Sequence, residues 1–435
     1  MLGLTRYQWL VLFAAWLGWG FDVFDGLLFN YVAPICVPNL LGLSPTDPSL
    51  GTKTTMWTAG LTSMLLLGWA LGGILFGKVT DRLGRTRTLL LTMLTYAGAT
   101  AACSLAPNLW VLAALRFVAS LGIGGEWAAG ASLVAEALPK ERRVLGGALR
   151  YTSAPAGLFL ATWVNDLFTR QLDAIAGNPG LSWRLVFLTG LIPSAVALAI
   201  RLKVKEPEGW APAASPKVRE LFSPALRHRT LGGLGMAVTA LVTWWSCSAF
   251  IPLVAAHLAR EAVSPALTAA FAHKRAEFIT LATTAFNVGG LLGTLLTVPI
   301  ALRFGRRPMF LGYFLASIAA IYGVFGLDFP PEHRLGLIFF VGLTVFGVFG
   351  SFTFYLPELF PSRIRGTGSG FCYNAGRLIA MWGPFAVGYA ARTGLNPLEI
   401  LKWVAVAPLF GVVLLLLGYA EETRDRDPDA LLESA

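Results

Sequence analysis

Apolar residues run through this chain in long blocks separated by short polar stretches. Twelve blocks stand out, over residues 8–38, 57–77, 88–106, 109–138, 145–168, 183–202, 230–258, 278–301, 308–327, 335–356, 367–391 and 399–419. About 20 apolar residues carry an α-helix across a bilayer, so each block predicts one transmembrane helix. A membrane β-barrel would instead show shorter segments of alternating polarity. The longest polar insert, 203–229, carries Lys203, Lys205, Lys217, Arg219, Arg227 and Arg229 and divides the chain near its middle.

Composition sharpens this picture. Of 435 residues, 55% are hydrophobic and 13% charged, against about 25% charged in a soluble domain. That excludes an ordinary soluble enzyme and a disordered chain alike, and predicts an all-α integral membrane protein embedded in a lipid bilayer. The net charge of +10 would elsewhere suggest nucleic acid. Here the basic residues sit in short loops, so membrane orientation explains them and no nucleic-acid partner is expected. With the N-terminus cytoplasmic, 22 basic residues fall on the cytoplasmic side, 9 outside and 3 within helices. Both termini are therefore expected inside. The first apolar stretch, interrupted by Asp22 and Asp25, is too long for a cleaved signal core and reads as a retained helix. The sequence has no Asn-x-Ser/Thr acceptor site, which favours a bacterial source and hence the plasma (inner) membrane. Cys36, Cys103, Cys247 and Cys372 lie in apolar runs without a CxxC pair, as small buried residues rather than a disulfide framework or metal site.

The two halves repeat. Gly68, Gly72, Arg82, Gly84 and Arg85 recur as Gly289, Gly293, Arg303, Gly305 and Arg306, an offset of 221 residues. Glu136, Pro139, Arg143, Gly146 and Tyr151 recur as Glu358, Pro361, Arg365, Gly368 and Tyr373, at an offset of 222. Six helices duplicated in the same orientation predict two bundles facing each other across a central site. The expected division is a six-helix bundle over 1–202, a cytoplasmic loop over 203–229, a second bundle over 230–420 and a cytoplasmic tail over 421–435.

The loop Gly77-Lys-Val-Thr-Asp81-Arg82-Leu-Gly84-Arg85 resembles the signature loop of the major facilitator superfamily. Arg116 followed by Gly122, Gly124 and Gly125 resembles its helix-4 motif. Glu358-Leu-Phe-Pro361 with Arg363, Arg365 and Gly366 resembles its helix 10–11 signature, and Glu206-Pro207-Glu208 its sixth-helix exit. Phe21-Asp22-Val23-Phe24-Asp25 and Gly124-Gly125-Glu126-Trp127 look most like the sialate:proton symporter group, which includes lactate and pyruvate permeases. Two departures stand out: Thr86 where a basic residue is common, and Leu302 in place of the second-half acid. The resemblance implies the twelve-helix major facilitator fold. It also implies that Asp81, Arg82, Arg85, Glu136 and Arg143, with Arg303, Arg306, Glu358 and Arg365 in the second half, form charge networks that hold the outward-facing state. The same residues serve as positive-inside topology signals.

A charge at the bilayer centre costs roughly 2.5–3.5 kcal/mol or more, so each one needs a partner or a wet cavity. Asp22 and Asp25 share one face of helix 1, where mutual repulsion favours holding a proton; capping or pairing with a neighbouring helix is the other reading. Asp22 lies roughly 21 Å from the cytoplasmic entry and Arg116 roughly 10 Å from the outer face of a core about 30 Å thick. Their depths coincide, so Arg116 is expected to pair with Asp22 or Asp25 in one state, and to join substrate binding. Glu126 reads as a second proton site, a partner of Arg116, or a structural hydrogen-bond group. Arg377 lies about 15 Å into helix 11, near the midplane, where a guanidinium suits a carboxylate. Asn374, one turn earlier, would share the substrate. Arg150 and Asp166 read as snorkelling residues, and Trp244 and Trp245 as ordinary packing.

Together these features predict a secondary transporter: proton-coupled symport of a small organic anion, a monocarboxylate or sugar acid, by alternating access. A sugar or aromatic-acid carrier and an exporter are the alternatives within the class. A membrane enzyme is disfavoured, since His228, His257, His273 and His333 lie in loops or at helix ends and no HExxH or GxSxG run occurs. No GxxxxGK[ST] motif points to ATP. No cofactor or metal is expected, and the chain is expected to act as a monomer.

Overall fold

In a computed structural model, residues 4–83, 85–138, 142–192, 195, 199, 218–265, 268–361 and 364–424 are described, without the side chains of 77, 78, 80–83, 85, 86, 89, 126–137, 143–145, 148, 173 and 268. The apolar blocks fold as helices because no water is available in a bilayer to satisfy open backbone groups. The first span is α1 (Arg6–Leu41). It opens on a capping box in which Gln8 N donates to Thr5 Oγ1 and Thr5 N to Gln8 Oε1, and ends at Gly42, whose φ of 65° is left-handed. Next come α2 (Leu50–Leu83), α3 (Arg85–Cys103) and α4 (Leu109–Ala137). The fifth span is α5 (Arg143–Tyr151) plus α6 (Ser153–Asp166), and the sixth begins at α7 (Pro179–Leu188).

The second half follows the same plan. Its seventh span is α8 (Arg227–Ser248) with α9 (Ile251–Ala262), followed by α10 (Thr268–Phe304) and α11 (Arg306–Gly326). The tenth is α12 (Pro331–Gly347) with α13 (Phe349–Glu358), the eleventh α14 (Arg365–Ala380) with α15 (Trp382–Ala390). The twelfth runs from α16 (Pro397–Leu401) through a 3₁₀ turn to α17 (Val406–Leu416). Helix starts obey the repeat: Arg6 and Arg227, Arg85 and Arg306, and Arg143 and Arg365 stand at the sequence offsets. Among the described residues, seven helices are long and apolar enough to cross a membrane by length and composition, and every regular element is helical.

Glycines set the closest helix pairs. A Cβ on Gly68 or Gly72 of α2 would run into Ser120 and Leu121 of α4; one on Gly289 or Gly293 of α10 would run into the Phe339 and Leu343 carbonyls of α12. Small residues let backbones approach where lipid supplies no hydrophobic drive. The halves meet through α6 on α10, α2 on α14 and α15, α5 on α13, and α1 on α9. The division at 202 and 230 falls partly on residues 200–217, outside the described part.

Candidate functional site

Four spans are interrupted along their length. The fifth is interrupted at Thr152, the seventh at Ala249–Phe250, the tenth at Val348 and the eleventh at Met381, with Pro155, Pro252 and Pro384 just past three of the breaks. A proline fits the first turn of a helix but not its interior, so each starts the second segment. Around these breaks lies a small cavity. Trp19, Trp69 and Tyr151 line it from the first half, and Trp244, Trp245, Phe346, Phe349, Tyr373 and Arg377 from the second. Irregular backbone at membrane depth is tolerated where it faces such a cavity.

Arg377 is the cation in this wall, 2% exposed. Its Cζ lies 4.6 Å from the ring centroid of Trp69 and 4.6 Å from that of Tyr373. Its NH1 donates to Asn374 Oδ1 at 2.9 Å. Tyr373 is hydrogen-bonded to Arg377 and to Tyr151 across the cavity. Thus Arg377 and Asn374 do come together, with the amide supporting the guanidinium and lying against Gly73 of α2.

Asp22 and Asp25 are fully buried in α1 and absent from the cavity wall, which α1 lines with Trp19, Val23 and Leu27. Asp22 acts on Arg377 through space, and Asp25 on Arg116. Arg116 also stays off the wall. Its NH1 donates to the Asp25 carbonyl oxygen at 2.8 Å and its NH2 to the Gly26 carbonyl. Depth matching from sequence therefore brings Arg116 to the right turn of α1, and onto its backbone. The side chain of Glu126 lies outside the described residues.

Two expectations change. Arg150 does not snorkel: it is buried, with its Cζ 5.7 Å from the Trp19 ring centroid. Asp166 joins the halves instead of reaching outward, accepting from Thr280 of α10 at 2.6 Å and from Arg170 at 2.7 and 2.9 Å. Trp244 and Trp245, read as packing, are cavity wall.

On the side of the bundle that carries the N-terminus, Arg306 grips Glu358 with two bonds, NE to Oε2 at 3.1 Å and NH2 to Oε1 at 2.7 Å. Arg365 donates to the Pro357 and Phe360 carbonyls at 3.1 and 3.3 Å, and the Arg303 carbonyl accepts from Arg424 at 3.0 Å. Sequence reasoning missed Glu422, which caps α11. Its carboxylate accepts from the backbone N–H of Arg306, Arg307 and Arg424 at 2.9, 3.0 and 3.1 Å, beside Gly305 with φ of 94°. Burial raises the Glu422 carboxyl, but those three main-chain donors outweigh it and hold it below the usual 4.5. The repeat itself was the available signal, since Gly305–Arg306 opens a helix that needs an N-terminal acceptor. The side chains of Asp81, Arg82, Arg85, Glu136 and Arg143 lie outside the described residues.

Comparison with known proteins agrees with this architecture. The profile of the Major Facilitator Superfamily matches residues 9–270. The chain is 27% identical to a gentisate transporter of Corynebacterium glutamicum, over 94% of this chain and 86% of that protein. It is 24% identical to a sialic acid transporter of Escherichia coli, over 94% and 93%. A solved D-xylose-proton symporter superposes with a TM-score of 0.75 at 17% identity, over 97% of this chain and 100% of that one. A duplicated twelve-helix bundle around a central cavity, together with a profile match to more than half its length, makes this chain a member of the major facilitator superfamily, a membrane-spanning transporter of small metabolites.

Proposed function

We propose that this transporter carries a small organic anion inward with protons, by alternating access between two six-helix bundles. The supporting observation is the placement of Arg377: a buried guanidinium on the wall of a cavity to which both halves contribute, with Asp22 in electrostatic reach. A carboxylate docking on Arg377 displaces the claim of Asp22 on that cation, and Asp22 then takes up a proton more readily. Substrate and proton free energies are thereby linked. Asn374 orients the guanidinium, and Asp25 with Arg116 fixes the α1 turn that carries Asp22. The relatives named for gentisate and for sialic acid both have organic acids as their cargo. In this reading the N-terminus is cytoplasmic in a bacterial inner membrane, and the Arg306–Glu358 and Arg365 contacts close the cytoplasmic side of the second bundle.

The test uses purified protein in liposomes, with labelled lactate, pyruvate, sialic acid and benzoate, with and without an inward proton gradient. Empty liposomes run alongside, because protonated weak acids cross bilayers unaided. Gradient-driven uptake of one acid above that control, lost in Arg377→Ala and uncoupled from the gradient in Asp22→Asn, is the expected result. Uptake that ignores the gradient would sink the proton coupling. Failure of every acid would sink the anion assignment.

A further inference from the structure

We infer that the cavity is a clamp for a flat, unsaturated carboxylate, an acid whose carboxyl group is attached to an aromatic ring or conjugated chain. This rests on the cavity being the transport site.

The argument is an inventory of the wall. Eight aromatic rings face the space, and the remaining side chains are Val23, Leu27, Ala154, Leu241 and Arg377. The rings touch one another in a continuous cage. Trp69 and Trp245 meet edge to face at 5.8 Å between centroids, Trp244 and Trp245 at 4.7 Å, and Tyr151 stacks on Phe349 at 6.2 Å. Such a cage offers faces and edges, which favour another π system over a saturated ring of equal size.

The polar groups complete the selection, because they are almost all donors. The indole N–H groups of Trp19, Trp69 and Trp244 are buried and have no hydrogen-bond partner among the described residues. The Tyr151 and Tyr373 hydroxyls are engaged with each other, and Tyr373 with Arg377 as well. Among the described residues, no carboxylate, amide, serine or threonine lies on the wall. A carboxylate supplies the acceptors these donors lack. A sugar acid brings several hydroxyls, each a donor needing an acceptor, and each left unsatisfied costs roughly tenfold in affinity.

Trp69 is the residue that joins the two requirements. Its ring packs on the Arg377 guanidinium and lies nearly perpendicular to the Trp245 ring. It therefore places the anion and the π surface in fixed relation.

Calorimetric titration of the detergent-purified protein with four probes separates the terms: benzoate, cyclohexanecarboxylate, gluconate and benzamide. Benzoate is expected to bind about tenfold tighter than cyclohexanecarboxylate, with gluconate and benzamide weaker still. Trp69→Leu should bring benzoate down to the level of cyclohexanecarboxylate, whose retained binding shows the variant is folded; Trp245→Leu serves if Trp69→Leu does not fold. Equal binding of benzoate and cyclohexanecarboxylate, or tighter binding of gluconate, would overturn the flat clamp while leaving anion transport standing. Benzamide as tight as benzoate would overturn the anion reading with it. Silence from all four probes overturns the clamp, and uptake of another acid in the liposome assay would show that transport survives it.

Discussion

Gly68 and Gly72 in the first half, and Gly289 and Gly293 in the second, pack against α4 and α12 at residues that are themselves equivalent, Leu121 beside Phe117 and Leu343 beside Phe339. The ionisable positions are not repeated in this way. At the same offsets Asp22 corresponds to Thr243, Asp25 to Ser246, Arg116 to Ile338 and Arg377 to Pro155. All four neutral counterparts are buried. Close helix packing is needed twice, because each half must hold its own helices together without help from lipid. A buried charge is expensive wherever it stands, and each one has an answer: Arg116 within its own half, on the Asp25 and Gly26 carbonyls, and Arg377 from the opposite half. The acids sit in the first half, the cavity cation in the second, and Asp22 reaches Arg377 across the boundary. Tyr151 and Tyr373 are the exception that fits: they are repeat partners, and they are hydrogen-bonded to each other. A residue pair related by the duplication can meet only near the axis relating the halves, so this contact marks where that axis crosses the cavity.

Breaking the shared part should have the largest effect. A side chain on Gly72 would put its Cβ 2.7 Å from the Leu121 carbonyl carbon and overlap its oxygen; on Gly293 it would overlap the Leu343 oxygen and lie 3.0 Å from Gly347 Cα. Backbone cannot step aside as a side-chain tip can, so Gly72→Val and Gly293→Val should each cost about 3 kcal/mol or more. Both should fail to give monodisperse protein on size exclusion. Gly60→Ala, where nothing lies within 4 Å, should behave as the parent. Unequal damage from Gly72→Val and Gly293→Val would break the claim that the two seams are equivalent.

Breaking the unshared part should spare the fold and strike the coupling. Asp22→Thr installs the residue that the second half carries at the equivalent position, and Thr243 there satisfies itself by donating to the Thr239 carbonyl at 2.7 Å. We expect at least a tenfold loss of gradient-driven accumulation in liposomes, with counterflow exchange of substrate retained. Loss of exchange as well would make Asp22 a binding group and not a coupling one.

Arg116→Ile, again the second-half residue, should act on stability. It removes a charged donor from the Asp25 and Gly26 carbonyls, a loss of about 1–3 kcal/mol. Thermal unfolding in detergent should show a lower midpoint for Arg116→Ile and a smaller drop for Arg116→Lys, which keeps the charge and loses the fork.

These cases show what the sequence could and could not convey. Helix number, the duplication and the glycine seams follow from block length and from matches at a fixed offset. The depth of Arg377 follows from helical rise. Depth alone, however, does not give direction around a helix, and so the sequence could set Arg116 level with Asp22 and Asp25 without showing that it grips main-chain oxygens. The aromatic cage was less legible still. Its rings come from six spans, several of them apolar on most sides, and a tryptophan in lipid contact looks the same in sequence as one facing a cavity.

The smallest effect concerns the far end of the chain and sharpens the comparison at the N-terminal side. Glu422 caps α11 with two main-chain bonds and accepts a third from Arg424 of its own tail, and its carboxyl lies below its ordinary 4.5 because those donors, against the opposing pull of burial, favour the ionised form. A group whose folded value is depressed adds stability above its unfolded value and gives it up as pH falls through the folded one. The tail should therefore stay docked at neutral pH and loosen only in acid, below about the ordinary carboxylate value of 4.5. Glu422→Gln keeps the shape and removes the charge. As a half-exposed cap it should cost under about 1 kcal/mol and remove the acid sensitivity. Hydrogen exchange at the Arg306 and Arg307 amides, corrected for intrinsic rates, reads both effects directly. Unchanged protection in Glu422→Gln would mean that the salt bridge from Arg306 to Glu358, and not the tail, fixes the start of α11.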